Sequence, residues 1–333
     1  LLFDGVSLQL GGADVLRDIR LELASGEQAA LIGPSGAGKT SLLLLAATRY
    51  RPSQGGLTVL GDNPWHLSAR WLRRLRSRIG MVYQAAPLPA RQRVIHSVAA
   101  GKLGQYGGMA ALSRLLWPKD GAAVQECLQR VDLADKLWQR CDQLSGGQRQ
   151  RVGIARVLYQ QADLLLADEP VAALDPKLAE DTIRLLVAEA SARQACLLVS
   201  LHSVELALAH FPRIIGVRDG QIMFDLPREQ VHPGVAGRAS GPATGSQHQP
   251  GPAMLSNHPR DPARWPRLFT LLLCLALLAP SFSLTQFNPA TLANPDSWHT
   301  MAGFVAGFFP MSLQGSFLLD VARETITTLA SAT

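Results

Sequence analysis

A glycine-rich segment at residues 33–41, GPSGAGKTS, limits the possible folds of this chain more than any other feature. It follows a strand-like apolar run, QAALIG at residues 28–33, and precedes an apolar helical run. Glycines let successive backbone N–H groups turn inward toward phosphate oxygens, and a helix that begins at Gly38 adds its positive N-terminal end. A strand, a loop and a helix in this order predict an α/β fold with a nucleotide phosphate site.

The side chains of residues 33–41, called the phosphate loop below, fit the same chemistry. Lys39 would neutralise the β- and γ-phosphates of ATP, and the Thr40 hydroxyl would ligate Mg²⁺. A chance glycine-rich turn is the alternative, but the flanking strand and helix favour the phosphate loop. The residues predicted to bind the nucleotide here are Gly33, Pro34, Ser35, Gly36, Ala37, Gly38, Lys39, Thr40 and Ser41.

Two acidic residues, Asp168 and Glu169, follow a second apolar run in ADLLLADEP. A strand that ends there would hold one carboxylate for a magnesium shell and offer the other to a water molecule. A plain strand end capped by two acidic residues is the alternative. The phosphate loop in the same chain favours the catalytic interpretation.

Short apolar runs alternate with amphipathic helical stretches from residue 1 to about residue 226. RIGMVY, ADLLLAD and ACLLVS have the composition of buried strands, whereas GAAVQECLQRVDLADKL, GGQRQRVGIARVLYQ and PKLAEDTIRLLVAEASAR have helical periodicity. This alternation predicts an α/β layer with a mainly parallel sheet. RIIGVRDGQIMFDL predicts a terminal hairpin with an Asp-Gly turn.

The composition changes sharply after residue 230. Residues 231–266 are rich in Gly, Pro, Ser and His and contain almost no large apolar side chains. Such a segment buries too little surface to offset the entropy of ordering, so we predict a disordered linker between an ATP-binding domain at residues 1–230 and a third region at residues 267–333.

The third region begins with PRLFTLLLCLALLAPSFSL, and residues 268–287 form an uncharged run. Because about 20 apolar residues cross a bilayer, we predict a transmembrane helix here. Three arginines lie just before it, so the preceding flank is expected in the cytoplasm. A buried soluble helix is the alternative, since Pro280 comes early. We also expect the chain to be part of a longer protein.

The formal net charge of +6 raises the question of a nucleic-acid partner. The densest basic run, RWLRRLRSR at residues 70–78, has aliphatic side chains at helical spacing, which indicates a solvated helix face. Four widely spaced cysteines without a CxxC pair argue against a disulfide framework or a zinc site. We therefore predict a protein that binds no nucleic acid and works in a reducing compartment.

The segment LSGGQRQRVGIARVL at residues 144–158 resembles the signature of ATP-binding-cassette (ABC) proteins. SGGQ before a helix is a second backbone nest suited to a phosphate, made by Ser145, Gly146, Gly147 and Gln148. The resemblance implies a RecA-like core with an antiparallel β subdomain and a helical subdomain. It also implies a head-to-tail homodimer in which the signature of one copy covers the ATP of the other.

The resemblance extends to three further residues and to the acidic pair. Gln84 in MVYQ is similar to the Q-loop glutamine, which senses the γ-phosphate and Mg²⁺. Asp175 in ALDP is similar to the D-loop aspartate, and His202 in VSLHS to the switch histidine. Glu169 then matches the general base and Asp168 the magnesium-shell acid. The implied Mg²⁺ ligands are Thr40, Gln84 and Asp168, and the implied catalytic residues are Glu169, His202 and Gln84.

Three positions depart from the family pattern. Leu10 stands where an aromatic residue usually stacks on adenine, which puts that contact in doubt. Ala173 occupies a D-loop position that is often Ser, and Gly153 costs the signature helix about 1 kcal/mol of propensity. None of the three removes a catalytic group, so we expect an active ATPase.

Four segments resemble those of bacterial phosphonate-importer ATPases: LRRLRSRIGMVYQ, LADKLWQRCDQLSGGQRQRV, LLLADEPVAALDPKLAEDTI and RIIGVRDGQIMFDLP. The tail, with its predicted transmembrane helix followed by FNPATL, FVAGFFP and ETITTLA, resembles the start of the matching permease. The resemblance implies an ATPase on the cytoplasmic side of the bacterial inner membrane. Its implied partners are a phosphonate permease subunit or fused permease domain, the membrane, and a periplasmic solute-binding protein. Importers of phosphite, phosphate, methionine or polar amino acids are the alternatives, and a non-transport ABC ATPase is the remote one.

Overall fold

The chain is organised by two β-sheets in the computed structural model, which describes residues 1–116 and 120–232. Within these ranges it has nine strands and eight α-helices. The strands are β1 (Leu2–Leu10), β2 (Ala13–Glu22), β3 (Gln28–Ile32), β4 (Gln54–Thr58), β5 (Ile79–Val82), β6 (Leu164–Asp168), β7 (Cys196–Ser200), β8 (Arg213–Arg218) and β9 (Gln221–Pro227). The helices are α1 (Lys39–Ala46), α2 (Ala69–Ser77), α3 (Val94–Ala99), α4 (Gly108–Leu116), α5 (Gly121–Gln129), α6 (Gly146–Gln160), α7 (Pro176–Arg193) and α8 (Val204–His210).

The larger sheet has the strand order β5-β6-β7-β3-β8-β9. Its first five strands pair in parallel and β9 pairs antiparallel to β8, which confirms the predicted parallel layer and terminal hairpin. Every residue of β3, β6 and β7 is buried. Parallel strands covered on both faces are expected to be continuous apolar runs, as they are here.

The two faces of this sheet pack into separate hydrophobic clusters. On β3, Ala30 and Ile32 join one cluster, whereas Ala29 and Leu31 join the other. This alternation follows from the period of two along a strand. The first cluster contains α3, α5 and α6, and the second contains α1 and the smaller antiparallel sheet, whose order is β2-β1-β4.

The sequence interpretation placed some boundaries correctly and others wrongly. GGQRQRVGIARVLYQ and PKLAEDTIRLLVAEASAR coincide with α6 and α7. The helix after the phosphate loop begins at Lys39 and not at Gly38, because Gly38 has a φ of 102° and acts as its N-cap. The predicted long helix after Gly121 is also wrong: α5 ends at Gln129, and Asp132 has a φ of 54°.

The predictions for the rest of the chain lie outside the described residues. These are the linker at residues 231–266, apart from its first two residues, and the transmembrane helix at residues 268–287. Among residues 1–116 and 120–232, no helix has both the length and the apolar character that a bilayer crossing requires.

Candidate nucleotide site

The phosphate loop connects β3 to α1 through glycines whose backbone angles other residues rarely adopt. Gly33, Gly36 and Gly38 have φ values of 155°, 79° and 102°. A Cβ on Gly33 would lie 2.0 Å from the carbonyl oxygen of Val217, and a Cβ on Gly38 would lie 2.8 Å from Leu16 Cδ2. Side chains are therefore excluded at both ends of the loop, and the backbone can curl as a phosphate nest requires.

Lys39 is directed into this loop. Its side chain is buried, and Nζ donates hydrogen bonds to the carbonyl oxygens of Gly33 at 2.7 Å and Pro34 at 3.0 Å. Burial lowers the pKa of Lys39, while the charges of Glu169 and Asp168 act in the opposite direction. The ammonium group is thus partly desolvated and held by neutral carbonyls, so an anionic ligand in the loop would gain a strong electrostatic partner.

The remaining loop residues divide into buried anchors and exposed groups. Ala37 is buried and its carbonyl accepts a hydrogen bond from Gly220 N at 3.0 Å, which fixes the loop against the β8–β9 turn. Ser35, Gly36 and Thr40 are exposed, and Ser41 is half-buried. The groups predicted to meet phosphate and magnesium therefore face solvent, while the contact at Ala37 holds the loop backbone against the β8–β9 turn.

Asp168 ends β6 and is held by Ser200 of the neighbouring strand β7. The two residues are partners in the parallel register, and Ser200 Oγ donates to Asp168 Oδ1 at 2.7 Å. Ser200 Oγ also accepts a hydrogen bond from Glu169 N at 3.0 Å. The sequence interpretation did not identify Ser200; the available signal was a polar residue at the end of an otherwise apolar strand.

Glu169 lies between two of the predicted catalytic residues. Gln84 Nε2 donates to its Oε2 at 2.9 Å, and His202 Nε2 lies 2.6 Å from its Oε1. Its backbone has a φ of 46°, a region that L-residues occupy rarely and mostly at turns or functional sites. The Glu169 side chain is only 13% exposed, whereas that of His202 is 52% exposed. Gln84, Glu169 and His202 are thus assembled in one chain.

The signature residues form a separate group at the start of α6. Ser145 is the N-cap: its Oγ accepts a hydrogen bond from Gln148 N at 3.2 Å, while Gln148 Oε1 accepts one from Ser145 N at 2.9 Å. A Cβ on Gly147 would lie 3.2 Å from the carbonyl oxygen of Ala173, so the signature packs beside the D-loop. Gly146, the first residue of α6, has open space at its Cβ position.

Asp175 has a similar role at the next helix. It caps α7, where its Oδ1 accepts a hydrogen bond from Leu178 N at 3.1 Å. In the described residues, the side-chain hydrogen bonds of Ser145, Gln148 and Asp175 are made to backbone N–H groups at the start of their own helices. The structure therefore brings the predicted site residues together as two groups: the phosphate loop with the Gln84–Glu169–His202 cluster, and the signature with the D-loop.

Leu10 lies at the end of β1, where the family pattern has an aromatic residue. It pairs with Ala13 of β2 across the hairpin and packs, half-buried, against the hydrophobic cluster of the smaller sheet. Its side chain therefore takes part in the core of the antiparallel sheet.

Comparison with known proteins places this architecture. Residues 16–172 match the family model described as ABC transporter. The chain is 60% identical over 232 residues to the phosphonates import ATP-binding protein PhnC 2 of Pseudomonas aeruginosa, which covers 69% of this chain and 87% of that protein. It is 55% identical over 227 residues to the corresponding protein of Pseudomonas putida, over 68% of this chain and 84% of the relative.

Solved structures agree with the fold. The dimeric post-hydrolysis state of the ATP-binding cassette MJ0796, bound to ADP and Pi, is 27% identical with a TM-score of 0.59 and covers 68% of this chain and 98% of its own. A bacterial Atm1-family ABC exporter with ATP bound is 25% identical with a TM-score of 0.58, over 68% of this chain and 38% of its own. With a phosphate loop, an acidic strand end and a signature helix in this arrangement, the chain belongs to the ABC transporter family, among the phosphonates import ATP-binding proteins.

Proposed function

We propose that this chain is the ATP-hydrolysing subunit that energises import of a phosphonate, or a related phosphorus oxyanion, across the bacterial inner membrane. The observation that carries hydrolysis is the Glu169 carboxylate, which lies 2.9 Å from Gln84 Nε2 and 2.6 Å from His202 Nε2. The cargo rests on the names of the relatives, one of which is 60% identical to this chain over 232 residues.

In this proposal the phosphate loop holds the β- and γ-phosphates of ATP. The backbone N–H groups around Gly36 and Gly38 and the Lys39 ammonium group supply the contacts. The exposure of Ser35, Gly36 and Thr40 supports the assignment, because a ligand reaches them without rearrangement of the buried anchors.

The proposed magnesium ligands are Thr40, Gln84 and Asp168. Their hydroxyl, amide and carboxylate oxygens form a donor set that suits Mg²⁺, which prefers oxygen ligands and keeps several waters. When bound, the ion neutralises charge on the phosphates. Ser200 would keep Asp168 oriented toward it through the 2.7 Å hydrogen bond.

Glu169 is the proposed general base. Its carboxylate would accept a proton from the attacking water, and its low exposure limits competition from solvent. Gln84 and His202 hold one carboxylate oxygen each and so fix its orientation. Since His202 is half exposed, it is also free to contact the γ-phosphate.

The signature and the D-loop are proposed to complete the site of a second copy. Ser145, Gly146, Gly147 and Gln148 form a helix N-terminus that carries no acidic residue in its first turn, which suits an anionic phosphate. A head-to-tail homodimer would bring this group to the ATP of the partner subunit. The related MJ0796 cassette is itself dimeric in its post-hydrolysis state, which supports a paired arrangement here.

We further propose that a permease binds beside Gln84. A groove of about 470 Å³ lies there, lined by Tyr83, Ala86 and the arginines Arg49, Arg73, Arg76 and Arg156, among others. A permease segment in this groove would contact Tyr83 and Ala86, which lie on either side of Gln84 in the chain. The ATPase would then lie on the cytoplasmic side of the inner membrane, and a periplasmic solute-binding protein would deliver the cargo.

The domain organisation forms part of the same proposal. Residues 1–230 would be the ATPase, residues 231–266 the linker, and residues 267–333 the start of a fused permease with a transmembrane helix at residues 268–287. Detection of the full chain in alkali-washed membranes would support this organisation. Recovery of the intact chain in the soluble fraction alone would contradict it.

Transport is tested in right-side-out membrane vesicles that contain the full transport system and enclosed ATP. ATP-dependent uptake of a radiolabelled alkylphosphonate, competed by unlabelled phosphonate, is the expected result. Phosphate, phosphite and methionine are assayed in parallel. Uptake of one of these with no phosphonate uptake would overturn the cargo, and no ATP-dependent uptake of any solute would overturn the transport function.

A further inference from the structure

Gln150 is a buried polar residue of α6 that the proposed catalytic steps leave without a role. Its side chain is 2% exposed, and Nε2 donates hydrogen bonds to the carbonyl oxygens of Tyr83 at 2.9 Å and Pro170 at 3.3 Å. Tyr83 directly precedes Gln84, and Pro170 directly follows Glu169. One amide group therefore bridges the backbone next to two of the residues proposed to act in hydrolysis.

The position of the two bonded carbonyl groups distinguishes this contact from an ordinary buried hydrogen bond. Gln84 and Glu169 belong to segments 85 residues apart, and their own contact is a single hydrogen bond between side chains. A side-chain contact of this kind depends on the relative position of the two backbones. The pairing of β5 with β6 fixes the two backbones as far as Val82 and Ala167. The two N–H donors of Gln150 tie the residues just beyond that pairing, Tyr83 and Pro170, to a third element, the helix α6.

We propose that Gln150 is a positioning residue that sets the distance between Gln84 and Glu169 and couples both to the signature helix. The inference rests on the proposed role of Glu169 in ATP hydrolysis. Gln150 lies little more than one helical turn after Ser145, in the same helix. A displacement of the signature end of α6 is therefore transmitted to the backbone at Gln84 and Glu169.

A second contact of α6 supports this coupling. Gly153 lies on the same helix face as Gln150, since residues three apart are neighbours on a helix. A Cβ on Gly153 would lie only 2.9 Å from Ala86 Cβ. Helix α6 thus contacts the chain on both sides of Gln84, at Tyr83 and at Ala86. Gly153 lowers the helix propensity of α6, but it lets the helix approach Ala86 more closely than an alanine would allow.

The same helix supplies a matched control. Gln160 is also buried, at 9% exposure, and its Nε2 donates to two carbonyl oxygens, those of Ser77 at 3.1 Å and Ile79 at 2.8 Å. Neither carbonyl adjoins a proposed catalytic residue. Gln150→Met and Gln160→Met therefore each remove two amide-to-carbonyl hydrogen bonds and preserve a similar side-chain length. Only the first removes a bridge between the backbones next to Gln84 and Glu169.

The test measures ATP turnover and thermal unfolding of the purified full chain and of the two variants. We expect similar decreases in Tm, a loss of about tenfold in kcat for Gln150→Met with KM for ATP changed less than about threefold, and a kcat near that of the parent for Gln160→Met. Equal kcat values for the two variants would refute the positioning role. A parent chain without ATP turnover would refute the proposed function and this inference together.

Gly153→Ala provides an independent probe if Gln150→Met fails to fold. It raises helix propensity and forces Ala86 outward, so the protein should remain folded while kcat falls. Combining it with Ala86→Gly removes the clash and should restore at least half of the parent kcat. If Gly153→Ala keeps the parent kcat, or if Ala86→Gly does not rescue a reduced one, coupling through α6 is wrong.

Discussion

Two groups of predicted site residues are built in different ways. The phosphate end is the phosphate loop with Gln84, Glu169 and His202, and the signature end is Ser145 to Gln148 at the start of α6. Gln84, Glu169 and His202 follow three strands of the larger sheet, and the Glu169 carboxylate joins the other two. At the start of α6, Ser145 and Gln148 instead satisfy each other's backbone N–H groups. The first group is thus assembled from distant segments of one chain, whereas the second satisfies its own hydrogen bonds and presents a helix N-terminus of the kind that suits an anion.

The difference follows from the elements that carry each group. Carboxyl ends of adjacent parallel strands bring side chains from distant segments to one edge of a sheet. A helix N-terminus needs only local residues to satisfy its first N–H groups. Changes at the phosphate end should therefore alter single-chain properties such as ATP affinity, while changes at the signature should alter properties that depend on two copies.

The largest expected effect comes from Glu169→Gln. If Glu169 is the general base, as proposed, its loss should reduce ATP turnover by about 10²–10⁴-fold and leave bound ATP in a closed dimer, because the amide keeps the shape but not the basicity of the carboxylate. Turnover assays and size-exclusion chromatography with ATP measure both outcomes. The control is Glu189→Gln, a carboxylate of equally low exposure at 12% that pairs with Arg130 and Arg193. Turnover at the parent rate in Glu169→Gln would show that the base is elsewhere.

Lys39→Ala should produce the next largest effect, on nucleotide affinity. Removal of a charge-assisted contact in a partly desolvated loop should weaken ATP binding by about 10–100-fold. Isothermal titration of the full chain with ATP measures it, and Lys102→Ala, a cation that pairs with Gln161 at 3.1 Å, is the control. Unchanged affinity would contradict the role of the loop, since the effect does not need a second copy.

Ser200→Ala tests how much the phosphate end depends on the buried hydrogen bond from Ser200 to Asp168. It removes the donor to Asp168 and should cost about 1–3 kcal/mol of unfolding free energy and roughly tenfold in kcat. Ser97→Ala is the control, because Ser97 is also buried and its Oγ donates a hydrogen bond of 2.9 Å to Gln92 Oε1. This contact does not involve the predicted site residues. If both variants lose the same activity, Ser200 has only a structural role.

Ser145→Ala should give the smallest single-chain effect and separate the two ends most cleanly. Loss of the cap should cost about 1 kcal/mol of unfolding free energy while ATP affinity of the chain stays unchanged. ATP turnover should lose its dependence on protein concentration, because the partner's nucleotide would not be covered. Asn63→Ala, which removes the cap to Trp65 N at 3.0 Å, should keep that dependence. A weaker ATP affinity in Ser145→Ala would contradict the prediction that changes at the signature leave single-chain ATP binding unchanged.

The parts of the site that are local in sequence could be predicted from the sequence. The phosphate loop and the starts of α6 and α7 depend on neighbours within a few residues: glycines at fixed spacing, a serine cap with Gln148 three residues on, and Asp175 followed by Pro176. Their bounds therefore agree with the pattern. The helix start at Gly38 was wrong because a periodic pattern does not reveal a positive φ.

The supporting residues could not be predicted in the same way. Ser200 meets Asp168 only because β6 and β7 are adjacent in a particular register, and Gln150 meets Tyr83 and Pro170 only when α6 packs on both segments. Gly153 in the sequence indicates a weakened helix, whereas its neighbour Ala86 gives the position a packing reason. Such contacts depend on tertiary neighbours that lie far apart along a single sequence.

The pairing of Ser200 with both Asp168 on one side and Leu31 on the other has a consequence for how this protein can change. Adding or deleting one residue within β7 would turn Ser200 away from Asp168 and move His202 off Glu169, since a shift of one reverses every side chain of a strand. Many substitutions on the outer surface leave that count intact. The proposed reaction centre is thus more sensitive to the number of residues in this strand than to most of their identities, and insertions should be accepted in surface turns but not here.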